Sequence, residues 1–226
     1  YMRLLQEEAA AGVRRALLRL GDGVYEARET LDDGAVLQVQ VRVEGGRATV
    51  DWTGTGGIHP GNLNATPAIV RSALLYVLRL LVDEDFPLNE GMMEPIELHL
   101  PPGSLLNPDF TQPTHLAPAV VGGNVETSQR LVSTLLKALA LCAGSQGTMN
   151  NVLFGNDRFG YYETVCGGTG AGLGFAGADA VHSHMTNTRI TDPEIVEYRY
   201  PVRVERFAIR RGSGGCGHWR GGDGAV

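Results

Sequence analysis

A short polar segment, residues 182–189, carries side chains suited to binding or catalysis. Its letters are HSHMTNTR, so two histidines stand one residue apart, and an asparagine and an arginine follow them. On a strand, His182 and His184 would point to the same face and could share one metal ion. Two ligands do not complete a metal site, because such sites use three or four. The alternative is a pair of histidines that are hydrogen-bonded within a polar turn.

A carboxylate, Glu163, stands in the otherwise apolar stretch YYETVCGG. A carboxylate in such surroundings can act as a general acid or base. The alternative is an ion pair with an arginine such as Arg189. We take Glu163 and His184 as the candidate catalytic residues.

Asparagines recur beside glycines and polar residues, as in GGN at 122–124 and TNTR at 186–189. An asparagine amide both donates and accepts hydrogen bonds, so it can bind the edge of a lactam or hold irregular backbone together. An arginine can hold a carboxylate through two parallel hydrogen bonds. The candidate substrate-binding residues are therefore Asn124, Asn187 and Arg189.

Other motifs give weaker signals. The letters GLGFAG at 172–177 match the GxGxxG pattern of dinucleotide-binding loops, but no convincing helix follows them. No phosphate-binding loop of the GxxxxGK[ST] type occurs. Cys166 could be a nucleophile or a buried, inert thiol. Ser128 and Ser145 stand near glycines but have no evident base beside them.

Hydrophobic periodicity predicts the elements that must position these side chains. Helical spacing of apolar residues indicates helices at 1–20, 65–85 and 124–144, the last capped by Asn124 or Thr127. Alternating or apolar runs bounded by turn residues indicate strands. The predicted strands cover 24–31, 35–43, 47–54, 94–100, 150–155, 161–168 and 200–212. The fold class is α+β, with mixed and antiparallel sheets, two or three long helices and glycine-rich loops, in a single unit over 1–226.

Composition limits the possible classes of protein. Of 226 residues, 43% are hydrophobic and 19% are charged, which is typical of a globular domain. The formal net charge of −6 offers no basic surface for a nucleic acid, and no apolar run is long enough to cross a membrane. The three cysteines form no CxxC pair, so we expect a reducing, cytoplasmic location.

Several long phrases, taken together and in order, resemble the hydantoinase B/5-oxoprolinase family. The resemblance runs over the whole chain. The phrases are VDWTGTG, GNLNATPA, RSALLYVLRLLVDEDFPLNEG, PPGSLLNP, AVVGGNVETSQRLV, GSQGTMNN, YYETVCGGTGAG, HSHMTNTRITDPEI and RRGSGGCGHWRGGDG.

The resemblance implies a role in ATP-dependent chemistry on cyclic amides or ketones. In this family a hydantoinase A-like subunit or domain binds ATP and phosphorylates the substrate, and the hydantoinase B component supplies further chemistry. The first hypothesis is a 5-oxoprolinase or N-methylhydantoinase that opens a lactam or hydantoin ring. One alternative is a subunit of an acetone or acetophenone carboxylase. Another is a non-catalytic module that docks the ATP-binding subunit.

The resemblance also implies that the chain is the C-terminal portion of a longer hydantoinase B component. It begins within a charged helical pattern and stops in GGDGAV. The family's N-terminal half would then be a further partner, and any divalent metal would have its ligands there. We expect an oligomeric assembly, and we expect the fragment alone to be inactive.

Overall fold

A computed structural model describes all residues, 1–226, and their contacts separate into two compact units. The first unit covers Tyr1–Ala140 and the second covers Leu141–Val226. The prediction that 1–226 forms a single unit, the C-terminal portion of the family domain, stays a prediction. No helix is both long enough and apolar enough to span a membrane.

The first unit contains a four-stranded mixed sheet with the strand order β1-β2-β3-β4. Strands β1 to β3 pair antiparallel, and β4 joins the sheet parallel to β3. The strands are β1 (Gly23–Thr30), β2 (Val36–Glu44), β3 (Arg47–Asp51) and β4 (Ile96–His99). The predicted antiparallel meander is therefore confirmed, with a parallel strand added at its edge.

Strand β2 shows why the sheet has one buried and one wet face. Its side chains alternate, because successive residues of a strand point to opposite faces. Gln38 and Arg42 are exposed on one face. The other face carries four buried side chains, Leu37, Val39, Val41 and Val43.

The first unit has three helices: α1 (Met2–Leu20), α2 (Pro67–Leu81) and α3 (Ser128–Ala138). Helices α1 and α3 contact the sheet, and α2 packs against both of them. Helix α2 begins with a proline in its first turn, where the missing N–H costs nothing. Helix α3 packs against β1, β2 and α2, and its Leu131 and Leu135 are fully buried. The core of the first unit therefore lies between the sheet and these helices.

Helix α3 is shorter than the sequence predicts. A π-helical turn, Gly123–Thr127, precedes it, and the chain leaves the helix before Ala140, whose φ is +52°. The predicted side-chain caps are wrong, since the Thr127 hydroxyl donates instead to the backbone oxygen of Leu63 at 2.5 Å. Gly123 explains the close approach, because a Cβ there would lie 2.2 Å from the Asn64 oxygen.

The second unit is built on a hairpin of β5 (Asn150–Gly155) and β6 (Gly160–Val165), as predicted. Much of the rest is irregular backbone, joined by isolated bridges such as Cys142 to Gly172. One short helix, α4 (Pro193–Arg199), is capped by Asp192, whose side chain accepts from the Glu194 amide at 2.9 Å.

The strand predicted over 200–212 is wrong. Only Ile209 forms a bridge there, with Ala225, and no neighbouring strand supplies a ladder of hydrogen bonds along the segment. The sequence analysis also missed α4, although its start signal, an aspartate followed by a proline, is present at 192–193. The α+β fold class, with mixed and antiparallel sheets, is confirmed.

Candidate active site

A cavity of about 880 Å³ lies within the second unit. Its walls come from one face of the β5–β6 hairpin, the glycine-rich loop 167–171, the segment 190–196 and the C-terminal segment 204–226. This volume lies within the range of small-molecule sites, roughly 300–1,000 Å³. The cavity is therefore the part of the second unit where a small substrate could be enclosed.

The hairpin supplies the polar wall of this cavity through the regular alternation of its strands. Side chains at every second position of β6, Tyr161, Glu163 and Val165, line the cavity. The Tyr161 ring stacks on Phe154 with 4.7 Å between centroids and meets the edge of Tyr200 at 5.2 Å. These aromatic contacts fix the strand that carries the carboxylate.

Glu163 is held in place by three hydrogen-bond donors. Its Oε1 accepts from the Thr191 amide at 2.6 Å and from the Thr191 hydroxyl at 3.2 Å, while its Oε2 accepts from the Tyr161 hydroxyl. The predicted alternative, an ion pair with Arg189, does not occur in the structure, because Glu163 forms no salt bridge. The carboxylate is thus oriented by neutral groups at the cavity wall.

Glycines let the backbone segments around the cavity approach one another closely. A Cβ at Gly168 would lie 2.0 Å from the backbone oxygen of Gly222, and one at Gly170 would lie 1.8 Å from that of Ala143. Backbone hydrogen bonds join the same segments, for example from the Gly222 amide to the Thr169 oxygen at 2.9 Å. Close packing of these segments therefore requires glycine at positions such as Gly168 and Gly170.

An ionic cluster fastens the C-terminal segment beside the cavity. The buried Asp223 accepts from Arg220 and from the Gly214 amide, both at 2.8 Å. Arg220 and Arg211 also donate to Asp179, at 3.0 and 2.9 Å. The guanidinium of Arg220, followed by the amide of Gly214, lowers the pKa of Asp223 to about 2. The sequence analysis did not single out this cluster, since its members lie far apart without a periodic pattern.

Cys166 follows β6 at the cavity wall, with its Sγ 3.5 Å from His182 Nε2. Burial raises the pKa of this thiol, which favours the protonated, unreactive form. The Nδ1 of His182 is buried and makes no hydrogen bond within the chain. The geometry brings a thiol and an imidazole together, and the burial favours the predicted inert thiol over the nucleophile.

His184 is partly buried, and its backbone has a φ of +55°. This conformation is not that of a strand, so the alternation argument that would aim His182 and His184 at one metal ion does not apply. Burial lowers the pKa of His184 to about 4, so the imidazole is neutral near pH 7. His184 is not among the residues that line the cavity.

The three predicted substrate-binding residues are all exposed. Asn187 and Arg189 follow His184 in the second unit, and neither lines the cavity. Asn124 lies in the π-helical turn of the first unit, and its backbone oxygen accepts from the Ser128 hydroxyl. Within the second unit, the structure therefore brings Glu163 to the cavity but not Asn187 or Arg189.

The family model of hydantoinase B/oxoprolinase matches residues 1–226. The chain belongs to this family. It is 46% identical over 235 residues to a 5-oxoprolinase of Dictyostelium discoideum and 45% identical over 242 residues to 5-oxoprolinase 1 of Arabidopsis thaliana. Both alignments cover 100% of the chain, which spans only 18% and 19% of these relatives.

Two solved structures share the fold of this oxoprolinase-family chain. The crystal structure of an ATP-dependent caprolactamase from Pseudomonas jessenii superimposes with a TM-score of 0.80 at 24% identity, covering 97% of this chain and 41% of that chain. A nucleotide-free acetone carboxylase superimposes with a TM-score of 0.76 at 18% identity, covering 96% of this chain and 33% of that chain. At these identities the superpositions show a common fold.

This oxoprolinase-family chain contains no group of three or more His, Cys, Asp or Glu side chains that could hold a metal ion. The GxGxxG segment is a tight turn in which Gly172 and Phe175 exchange backbone hydrogen bonds at 3.2 Å, and no helix follows it. The loop at 172–177 therefore lacks the helix that the GxGxxG pattern requires for dinucleotide binding.

Two cavity residues escaped the sequence analysis. Arg206 and Arg210 line the cavity from the irregular C-terminal segment. Their four-residue spacing within the wrongly predicted strand over 200–212 would have placed both on one face, which was the available signal.

Proposed function

We propose that this chain is part of an ATP-dependent cyclic amidohydrolase of the 5-oxoprolinase type, which opens a lactam or hydantoin ring after phosphate activation. The observation that carries the proposal is the identity of 45–46% to two 5-oxoprolinases over the whole chain. The caprolactamase and acetone carboxylase similarities support the fold, and they leave the ketone carboxylase as the alternative to be tested.

Within this proposal Glu163 acts as general acid or base at the ring. It lines the cavity, and two Thr191 donors and the Tyr161 hydroxyl hold it in one orientation. A positioned carboxylate contributes typically about 10²–10⁴-fold to a rate when it transfers a proton in the transition state. His184 is the second catalytic candidate, as a neutral imidazole that can donate one hydrogen bond to a carbonyl oxygen.

The proposed substrate contacts rest on residue chemistry. In the second unit, Asn187 would bind the amide edge of the ring and Arg189 would bind a carboxylate. Asn124, in the first unit, stays a substrate-binding candidate on its residue chemistry alone. Arg189 is exposed and forms no ion pair within the chain, so its guanidinium is free for a ligand.

The remaining components belong to other segments or subunits in this proposal. A hydantoinase A-like partner would bind ATP and phosphorylate the substrate. Any divalent metal would be held by the N-terminal half of the family domain, since the present chain offers no cluster of metal-ligating side chains. All three cysteines are free, which supports a cytoplasmic location.

The test is substrate-dependent ATP hydrolysis by the full-length protein with its ATP-binding partner. Parallel reactions contain 5-oxoproline, hydantoin, or acetone with bicarbonate. We expect ATP turnover with a cyclic amide and without bicarbonate. Turnover that occurs only with a ketone and bicarbonate would identify a carboxylase. Turnover that does not change when the candidate polar residues are substituted would favour the docking module.

A further inference from the structure

Arg206 and Arg210 are two exposed cations that line the cavity and have no partner within the chain. Neither side chain forms a hydrogen bond or an ion pair, whereas Arg211 and Arg220 nearby in the sequence are both paired with Asp179. Glu163 is the one acidic residue that lines the cavity, and its oxygens are already hydrogen-bonded to Thr191 and Tyr161. The cavity therefore carries an excess of positive charge.

The glycine-rich loop of the same cavity adds unpaired backbone donors. Gly168, Gly170 and Ala171 line the cavity, and their amides donate no backbone hydrogen bond within the chain. Glycine is required in this loop because a Cβ at Gly168 would collide with the Gly222 oxygen at 2.0 Å.

We propose that this cavity binds an anionic group of a small molecule, a carboxylate or a phosphate, and that Arg206 and Arg210 determine the preference for anionic ligands. Guanidinium groups suit both anions, because their N–H donors match two oxygens at once. The anion site stands on the cavity itself, and it rests on the proposed function only where the anion is assigned to a cyclic amide. In that case the preferred substrate is a ring that bears a negative charge.

The test is calorimetric binding to the full-length protein without ATP. The probes are 5-oxoproline, its uncharged analogue 2-pyrrolidinone, and inorganic phosphate. We expect 5-oxoproline or phosphate to bind at least about tenfold more tightly than 2-pyrrolidinone, because charge-assisted hydrogen bonds are among the stronger ones. Stronger binding of 5-oxoproline would identify the anion as a carboxylate, and stronger binding of phosphate would identify a phosphate site.

Matched variants assign the effect to these two arginines. Arg206→Gln and Arg210→Gln should each weaken binding of the preferred anion about tenfold, since each removes one charged donor. Arg203→Gln is the control, because Arg203 is exposed on the same segment and does not line the cavity. Arg210→Lys, which keeps the charge, should recover part of the affinity.

Binding of the preferred anion by Arg206→Gln and Arg210→Gln with the affinity of the unmodified protein would overturn the proposal. Equal affinity for 5-oxoproline and 2-pyrrolidinone, together with no phosphate binding, would also overturn it. The measurement needs no turnover, so it is separate from the ATP assay. Anion binding without hydrolysis of a cyclic amide would count against the proposed amidohydrolase and leave the anion site standing.

Discussion

Among single side chains, Glu163 shows how neighbours define a candidate catalyst. Its residue type and apolar surroundings made it noticeable, but the choice between a catalytic carboxylate and an ion pair needed the tertiary structure. Thr191 and the Tyr161 hydroxyl occupy the positions that an arginine would take. Those donors leave a carboxylate that is oriented at the wall of a cavity.

Substitution of Glu163 provides the corresponding test. Glu163→Gln keeps the size of the side chain but removes the charge and the ability to exchange a proton. We expect kcat for the proposed cyclic amide substrate to fall about a hundredfold or more, in line with the usual contribution of a general acid or base. Steady-state kinetics of the full-length protein with the proposed ATP-binding partner measures the change.

The control for this experiment is Glu205→Gln, because Glu205 is exposed and does not line the cavity. Its kinetics should match those of the unmodified protein. If Glu163→Gln keeps full activity while its circular dichroism spectrum is unchanged, Glu163 has no part in proton transfer.

Among the secondary-structure elements, local sequence pattern determines the strands of the first unit, whereas contacts between distant segments determine the irregular backbone of the second. Strand β2 is specified by the alternation of its own side chains, and its burial follows directly. The loop 167–171 is specified by contacts with distant backbone, as at Gly168 and Gly222. The stability of this loop therefore depends on the absence of side chains.

Gly168→Ala should destabilise the second unit by about 1–3 kcal/mol, the usual cost of forcing extra atoms into a packed site. The added Cβ would collide with the Gly222 backbone oxygen, and Gly222 is held in place by the hydrogen bond from its amide to the Thr169 oxygen. Hydrogen exchange of amides in Leu141–Val226 measures the change, with Gly160→Ala as control because a Cβ there meets nothing within 4 Å. Equal protection in both variants would contradict this packing argument.

For the chain as a whole, acid should loosen the second unit before the first. Burial lowers the pKa of His184 to about 4, below its ordinary value of 6.5. Between these two pH values the unfolded state binds a proton at this imidazole and the folded state does not. The stability contributed by the neutral His184 is fully present above pH 6.5 and is lost as the pH falls towards 4. The loss is on the order of 3 kcal/mol by linkage.

Asp223 acts in the same direction at lower pH. Arg220 and the Gly214 amide hold its pKa near 2, below the ordinary 3.8, so its contribution is present above pH 3.8 and is lost as the pH falls towards 2. Hydrogen exchange between about pH 7 and 3, corrected for the intrinsic rate, should show earlier loss of protection in Leu141–Val226 than in Tyr1–Ala140. His184→Gln should remove the dependence between pH 6.5 and 4.

Two substitutions test the ionic cluster around Asp223 separately. Asp223→Asn should reduce protection of the second unit at neutral pH, whereas Asp157→Asn, in the exposed turn of the hairpin, should not. Simultaneous loss of protection in both units at every pH would show that acid acts through some other group.

The sequence alone determined the strands of the first unit, the existence of its three helices, the β5–β6 hairpin and the family. Each depends on local periodicity or on long ordered motifs, as in the alternating Leu37 to Val43 of β2. The tertiary structure decided the shortened α3, the absent strand over 200–212 and the cavity that unites Glu163 with Arg206 and Arg210. Those features depend on which distant backbone segments approach one another, and glycine-rich segments permit many approaches without a periodic signal.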